Sequence, residues 1–235
     1  MISKELMYKS CLDMGINIDS DAVDRFDKYA ELLTDYNNKV NLTAITAPDD
    51  IVIKHFTDSL CLSKYVELDG KKIIDVGTGA GFPGAALLCY NPGFSITMID
   101  SVNKKLDFIR FLLKELGLSA DVITIRAEDA AKKPEFREKF DVVTSRAVAA
   151  LNVLSEYSVP LVKVGGLFAP LKAVLSAEED ARGCSAINNL GAKVTDKIKY
   201  SIPDGSEREI IIAKKVSQTP SKYPRAYAQI SKKPL

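Results

Sequence analysis

From Ile73 to Gly84 the chain reads Ile-Ile-Asp-Val-Gly-Thr-Gly-Ala-Gly-Phe-Pro-Gly. An apolar run ends in an acid, Asp75, and four glycines follow: Gly77, Gly79, Gly81 and Gly84. Ala85-Ala-Leu-Leu88 then begins a helical pattern. A buried strand that breaks into glycines and restarts as a helix builds a small-molecule pocket at the strand's carboxyl end. Glycines let the main chain turn tightly and let a ligand lie against bare backbone. The helix start offers unpaired N–H groups that favour an anionic ligand group. A second acid, Asp100, ends the next apolar run, about 20 residues on, where a carboxylate would take ribose hydroxyls.

Gly79-x-Gly81-x-x-Gly84 alone fits a nicotinamide enzyme as well as a methyltransferase. Asp75 separates the two. An acid beside a pyrophosphate is unfavourable, whereas S-adenosylmethionine has no phosphate and carries an ammonium and a sulfonium. Asp-x-Gly-x-Gly-x-Gly, from Asp75 to Gly81, therefore favours the methyl donor. The bland alternative is a plain tight turn, and the agreement of strand, turn, helix and distal acid argues against it. Further on, Arg126-Ala-Glu-Asp129 follows the third apolar run. A backbone N–H near Ala127 or Glu128 would hold an adenine edge there; an acidic helix start favoured by the macrodipole explains the same residues equally well.

These residues need a frame. Strand patterns cover Lys72–Val76, Ser95–Asp100, Asp121–Arg126, Phe140–Arg146 and Gly166–Lys172. Helical patterns cover Pro83–Tyr90, Val102–Leu116, Glu128–Lys139 and Ala149–Leu161. Alternation at this spacing predicts βαβ units and a parallel sheet. Ala192–Ser201 and Glu209–Lys214 are also strand-like, but Ile202–Arg208 between them is too short for a crossover helix, so they should form a hairpin. Upstream, Val23, Phe26, Tyr29, Leu33, Tyr36 and Val40 line one helical stripe. Ile51, His55, Phe56, Leu60 and Tyr65 line a second, with Thr46 expected as its cap. We expect three regions: a helical extension, 1–68, packed on the rest; a core, 69–217; and a tail, 218–235, with three prolines and several cations lying along the surface.

Bulk composition narrows the class. The chain has 235 residues, 46% hydrophobic and 27% charged, as in a folded globular protein. A net charge of +1 gives no overall basic field, so any nucleic-acid binding must rest on local patches. No apolar run approaches the ~18 residues that span a bilayer, and Met1-Ile-Ser-Lys-Glu5 lacks a signal-peptide layout. Cys11, Cys61, Cys89 and Cys184 form no C-x-x-C pair and read as reduced thiols of a cytoplasmic protein. With a single histidine, a zinc site is not expected.

Several segments together resemble one family. They are Asn41-Leu-Thr43, Lys54-His-Phe-x-Asp-Ser59, the Asp75–Gly84 stretch, Arg126-Ala-Glu128, Ser145-Arg-Ala147, Lys163-Val-Gly-Gly166, Leu171-Lys172 and Tyr223-Pro-Arg225. The chain resembles the ribosomal small-subunit methyltransferase G family, also called glucose-inhibited division protein B, over nearly its whole length. The resemblance implies a Rossmann-like, seven-stranded class I methyltransferase sheet, mostly parallel with a C-terminal antiparallel hairpin. It implies methyl transfer from S-adenosylmethionine to guanine N7 in 16S ribosomal RNA, in a loop of the decoding region. Beside it, we expect a monomer with no metal and no membrane partner. The family's cofactor contacts fall on Gly77, Phe82, Ala127, Glu128 and Arg146; Asp75, Gly79 and Asp100 join them by position. Residues 226–231 depart from the family's tail.

Guanine N7 has an exposed lone pair and no proton, so its methylation needs no general base. Rate should come from alignment, and a carboxylate or ring face near the base would stabilise the developing cation. Donors to guanine O6 are usually Arg or Lys; Arg146 and Lys172, at the ends of the fourth and fifth strands, are the candidates, unless each merely pairs with Glu128 or Asp129. Phe82 is either a stacking platform or core. His55 is by default a satisfied interior histidine, with a place near the substrate cleft as the alternative; Asn41 has the same standing. Lys214, Lys215, Lys222, Arg225, Lys232 and Lys233 form a candidate RNA-phosphate patch, or simply a solvated surface.

Overall fold

The computed structural model describes residues 1–235, with helices on both faces of one seven-stranded sheet. The chain opens with helices α1 (Lys4–Asp13) and α2 (Ser20–Asn37), whose first turns are capped by Ser3 and Asp19. A short turn, α3 (Pro48–Asp50), winds into a π-helix over Ile51–Thr57, then α4 (Asp58–Leu60) and a 3-10 turn at Cys61–Lys64. Thr46 is not the cap of this segment. Ala47 holds that position without a side-chain bond, and Pro48, with its preset φ, starts the helix instead.

The sheet comprises β1 (Lys72–Val76), β2 (Ser95–Asp100), β3 (Asp121–Thr124), β4 (Phe140–Arg146), β5 (Val162–Ala173), β6 (Ala192–Ser201) and β7 (Glu207–Lys215). Its order is β3-β2-β1-β4-β5-β7-β6. The first five strands run parallel, and β7 lies antiparallel to both β5 and β6, so the expected hairpin forms. Helices α5 (Gly84–Tyr90), α6 (Asn103–Leu116), α7 (Ala127–Ala130), α8 (Leu151–Ser158) and α9 (Ala177–Asn189) connect the strands; α10 (Tyr227–Lys232) closes the chain.

Strand residues alternate between two cores. Ile73, Ile96, Met98 and Val142 join a cluster that also takes Phe26, Tyr29 and Leu33 of α2 and Phe56 of the π-helix. Ile74, Ile99 and Val143 join the opposite cluster with Leu151 and Leu154 of α8 and Ile187 of α9. The period-2 alternation of a strand makes this division. The N-terminal helices thus have no core of their own; they complete one face of the sheet. Phe26, Tyr29 and Phe56 are fully buried there, each stabilising by about 1.5–3 kcal/mol.

Three expectations change. The helix placed at Glu128–Lys139 is only one turn, because Pro134 lacks the N–H that would extend it. Val40 lies beyond the end of α2, and Tyr65 is exposed. The tail does not merely lie on the surface: Thr219, Pro224 and Ile230 are buried, and Asn152 of α8 donates to the carbonyl of Leu235 at 2.8 Å. No helix is long and apolar enough to cross a membrane.

Candidate functional site

β1 meets β2 on one side and β4 on the other, so the sheet reverses direction of winding beside β1. Ligands bind at the carboxyl ends of the strands at such a switch point, and two cavities open there. The first, about 270 Å³, lies over the ends of β1, β2 and β3. The second, about 500 Å³, lies over β4 and β5 against the π-helix. Ala147, just past β4 with φ +56°, lines both.

Of the glycine turn, Gly77 lines the first cavity; Gly79, expected beside the cofactor, does not, and its N–H goes to Asp100. Gly77 has φ +70°, and a Cβ there would sit 2.7 Å from Val148 Cγ2. Its N–H and that of Thr78 both bond Ile99 O, tying β1 to β2. Asp100 lines the cavity; one oxygen accepts from Gly79 N–H at 3.1 Å and the other from Val102 N–H at 2.9 Å. The turn is buttressed from outside the sheet. Tyr29 of α2 donates its hydroxyl to Ala80 O at 2.6 Å, and a side chain at Gly81 would strike that hydroxyl.

Asp75 does not reach the cavity. It is fully buried, and Oδ2 accepts from Gly84 N–H at 2.9 Å, clamping the end of β1 to the start of α5. A Cβ at Gly84 would lie 2.7 Å from that oxygen, which is why a glycine stands there. Burial raises the Asp75 carboxyl to about 6. The sequence had Asp75 among the cofactor contacts; the structure makes it the latch of the turn.

Ala127 and Glu128 line the opposite wall, with Arg126 before them. Glu128 is buried, and its Oε1 has no hydrogen-bond partner; the nearest cation, Arg126 Nη1, is 3.6 Å away. A buried carboxylate oxygen without a donor fits a ligand hydroxyl or amine. Tyr157 of α8 and Tyr227 of α10 complete this end.

The second cavity is built around Arg146. Its Nη1 donates to Lys54 O, His55 O and Asp58 Oδ2 at 3.0, 3.2 and 2.9 Å, and its Nη2 donates to His55 Nδ1 at 3.0 Å. The expected alternative partners, Glu128 and Asp129, are not the ones it takes. Arginine has only donors, so His55 Nδ1 accepts and the proton sits on Nε2, which donates to Thr43 Oγ1 at 2.8 Å. Burial and the guanidinium together hold the imidazole down at about 3, hence neutral. Asp58 also accepts from the Tyr200 hydroxyl of β6 at 2.8 Å. Lys172 lines this cavity, bonded to Ala149 O at 2.7 Å and paired with Glu179 at 2.9 Å. Around the walls, Lys54, Arg146, Lys172 and Arg208 stand against two carboxylates, Asp58 and Glu179.

Phe82 lines neither cavity. Its ring stacks on His55 at 4.2 Å and Tyr29 at 5.4 Å, with the Arg146 guanidinium 5.0 Å away. It is a packed spacer between the glycine turn and the Arg146 network, so the stacking-platform reading gives way. Asn41 is exposed and outside both cavities; its neighbour Thr43, held by the Asn37 side chain, makes the contact to His55. In the candidate RNA patch, Lys215 is 1% exposed, with its ammonium on Glu138, Val159 O and Val162 O. Arg225 grips Glu156 through Nε and Nη2 at 2.8 and 2.6 Å. Both are internal ties. Lys222 remains exposed.

Asp58, Tyr200, Arg208, Tyr157 and Tyr227 were not singled out from the sequence. Asp58 alone had a signal, three residues after His55 on a helical segment. Tyr200 and Arg208 meet the site only through the β6–β7 register, which sets them opposite each other.

A Rossmann-like sheet closed by an antiparallel hairpin, with a glycine turn and a ribose-type acid at its switch point, defines the class I methyltransferase fold. Precorrin-6y C5,15-methyltransferase of Geobacter metallireducens shares it, with a TM-score of 0.50 at 16% identity over 68% of this chain and 86% of that one. So does the [4+2]-cyclase SpnF, with 0.57 at 16% over 80% and 94%; the fold alone therefore does not name the reaction. Sequence does so more closely. The family described as rRNA small subunit methyltransferase G matches residues 22–208, and the chain belongs to it. "Ribosomal RNA small subunit methyltransferase G" of Desulfitobacterium hafniense is 44% identical, covering 94% of this chain and 93% of that protein. The protein of the same name from Clostridium kluyveri is 43% identical over 98% of each.

Proposed function

We propose that this chain transfers a methyl group from S-adenosylmethionine to N7 of a guanine in 16S ribosomal RNA, in a loop of the decoding region. The observation that carries the reading is the pair of cavities meeting at Ala147, one lined for a nucleoside and one lined by cations. Family membership supplies the RNA.

The residues of the first cavity fit the methyl donor. Gly77 leaves bare backbone, Asp100 lines the wall with a carboxylate that would take ribose hydroxyls, and Glu128 presents an unpartnered oxygen. S-adenosylmethionine supplies the electrophilic methyl when bound. The second cavity receives the target base. A looped-out guanine costs less to unstack than one in a duplex, and about 500 Å³ accommodates it. Arg146 keeps Nε and one Nη2 hydrogen free of protein acceptors, and these reach for O6. Lys172 and Arg208 balance the adjoining phosphates. No base need remove a proton, because N7 carries none; the neutral His55 and the fixed guanidinium serve alignment. The substrate is the small subunit or an assembly precursor, the enzyme acts as a monomer, and the reaction is cytoplasmic. Residues 1–68 serve as the acceptor-side extension, 69–217 as the catalytic core and 218–235 as its tail.

A thermal-shift comparison and a methylation map test this. A ligand that binds the native state raises its stability: S-adenosylhomocysteine should raise the Tm and NAD should not. Ribosomal RNA from cells lacking the protein should lose one N7-methylguanine. A shift with NAD alone, or an unchanged methylation map, overturns the reading.

A further inference from the structure

The C-terminal tail contributes a wall to the first cavity, and the details of its anchoring give that wall a purpose. Arg225 clasps Glu156, whose side chain is fully buried in α8. Ile230 of α10 is fully buried, and Leu235 O is held by Asn152. The segment is thus fixed before, within and after α10. Between these anchors Tyr227 is left half exposed, yet it lines the cavity. Anchored through Ile230 while its own ring stays half exposed at the cavity mouth, Tyr227 is poised for a ligand face. The Arg126 guanidinium lies over this ring at 4.8 Å and is also the cation nearest the orphan oxygen of Glu128. Arg126 therefore links the ring to the wall that would hold the adenine edge.

We propose that Tyr227 is a cofactor-positioning residue: its ring covers the adenine of the methyl donor, so that the tail completes the donor site of the core. This rests on the reading of the first cavity as the S-adenosylmethionine site.

The chain contains no tryptophan, which gives a direct test. Tyr227→Trp creates a single reporter whose emission is quenched when a purine stacks on it. Titration with S-adenosylhomocysteine should quench that emission with the same midpoint that calorimetry gives. Tyr227→Ala should weaken S-adenosylhomocysteine binding by roughly ten-fold, within the range of base–aromatic stacking, and raise the KM for S-adenosylmethionine while leaving the KM for RNA unchanged. Tyr227→Phe should restore both. If calorimetry shows binding to the Tyr227→Trp protein without a change in emission, or if Tyr227→Ala binds as tightly as the wild type, the proposal is overturned. If the wild type binds no S-adenosylhomocysteine, the cofactor reading itself falls, and this inference with it.

Discussion

At the residue scale, His55 and Arg146 constrain each other: every ring nitrogen of the one and both Nη atoms of the other are engaged. A guanidinium pressed against an imidazole is tolerable only while the imidazole is neutral, and Asp58 supplies the compensating charge on the other side of Arg146. This has a pH consequence. The unfolded imidazole takes a proton near 6.5 and the folded one only near 3. The unfolded state therefore binds more protons across that window, and stability falls as pH drops from about 6.5 toward 3. His55→Gln removes this proton uptake. Urea unfolding at pH 7 and pH 4.5 should show a smaller loss of stability in the variant than in the wild type; an equal loss would contradict the buried neutral imidazole.

At the scale of elements, the glycine turn is not held by β1 and α5 alone. The hydroxyl of Tyr29, on a helix more than fifty residues earlier, fixes it through Ala80 O. Tyr29→Phe leaves a buried carbonyl without its donor, which costs about 1–3 kcal/mol. We expect a lower Tm and weaker S-adenosylhomocysteine binding in calorimetry, with RNA affinity unchanged. An unchanged donor affinity would show that the turn keeps its shape unaided. The sequence made β1, β2, β4 and β6 legible to the residue: the first three are compact apolar runs, and β6 shows the polar–apolar alternation of a strand between Gly191 and Pro203. It left α9 unread. Ala177–Asn189 is largely polar, and only Gly183, Ala186 and Ile187 are buried in it. The π-helix was also invisible, since its apolar stripe looks the same as that of an α-helix. Of the residues the sequence singled out, Gly77, Asp100, Ala127, Glu128, Arg146 and Lys172 line the two cavities, each at or beside a strand end or a helix start. Asp75 and Phe82 line neither, because position along the chain does not reveal which way a side chain turns.

For the whole molecule, the two ends of the chain have different standing. The amino-terminal helices belong to the large core, through Met7, Phe26 and Tyr29. The tail instead is held by Ile230 and a few polar ties, among them Arg225 to Glu156, whose carboxylate is fully buried. Removing one member of such a pair strands the other in a water-poor environment. Arg225→Ala should destabilise the protein by about 3–5 kcal/mol in chemical denaturation and expose the tail to limited proteolysis ahead of the sheet. A tail that stays protected would mean that Ile230 and the Leu235 carbonyl suffice to hold it.

The bond from Asn152 to Leu235 O holds the last residues beside α8, and the ring of Tyr227 stands at the first cavity. Synthesis runs from the amino end, and the earlier parts of a domain emerge and collapse first. All seven strands precede Tyr227 in the chain, so the first cavity gains this wall only after the whole sheet has been made.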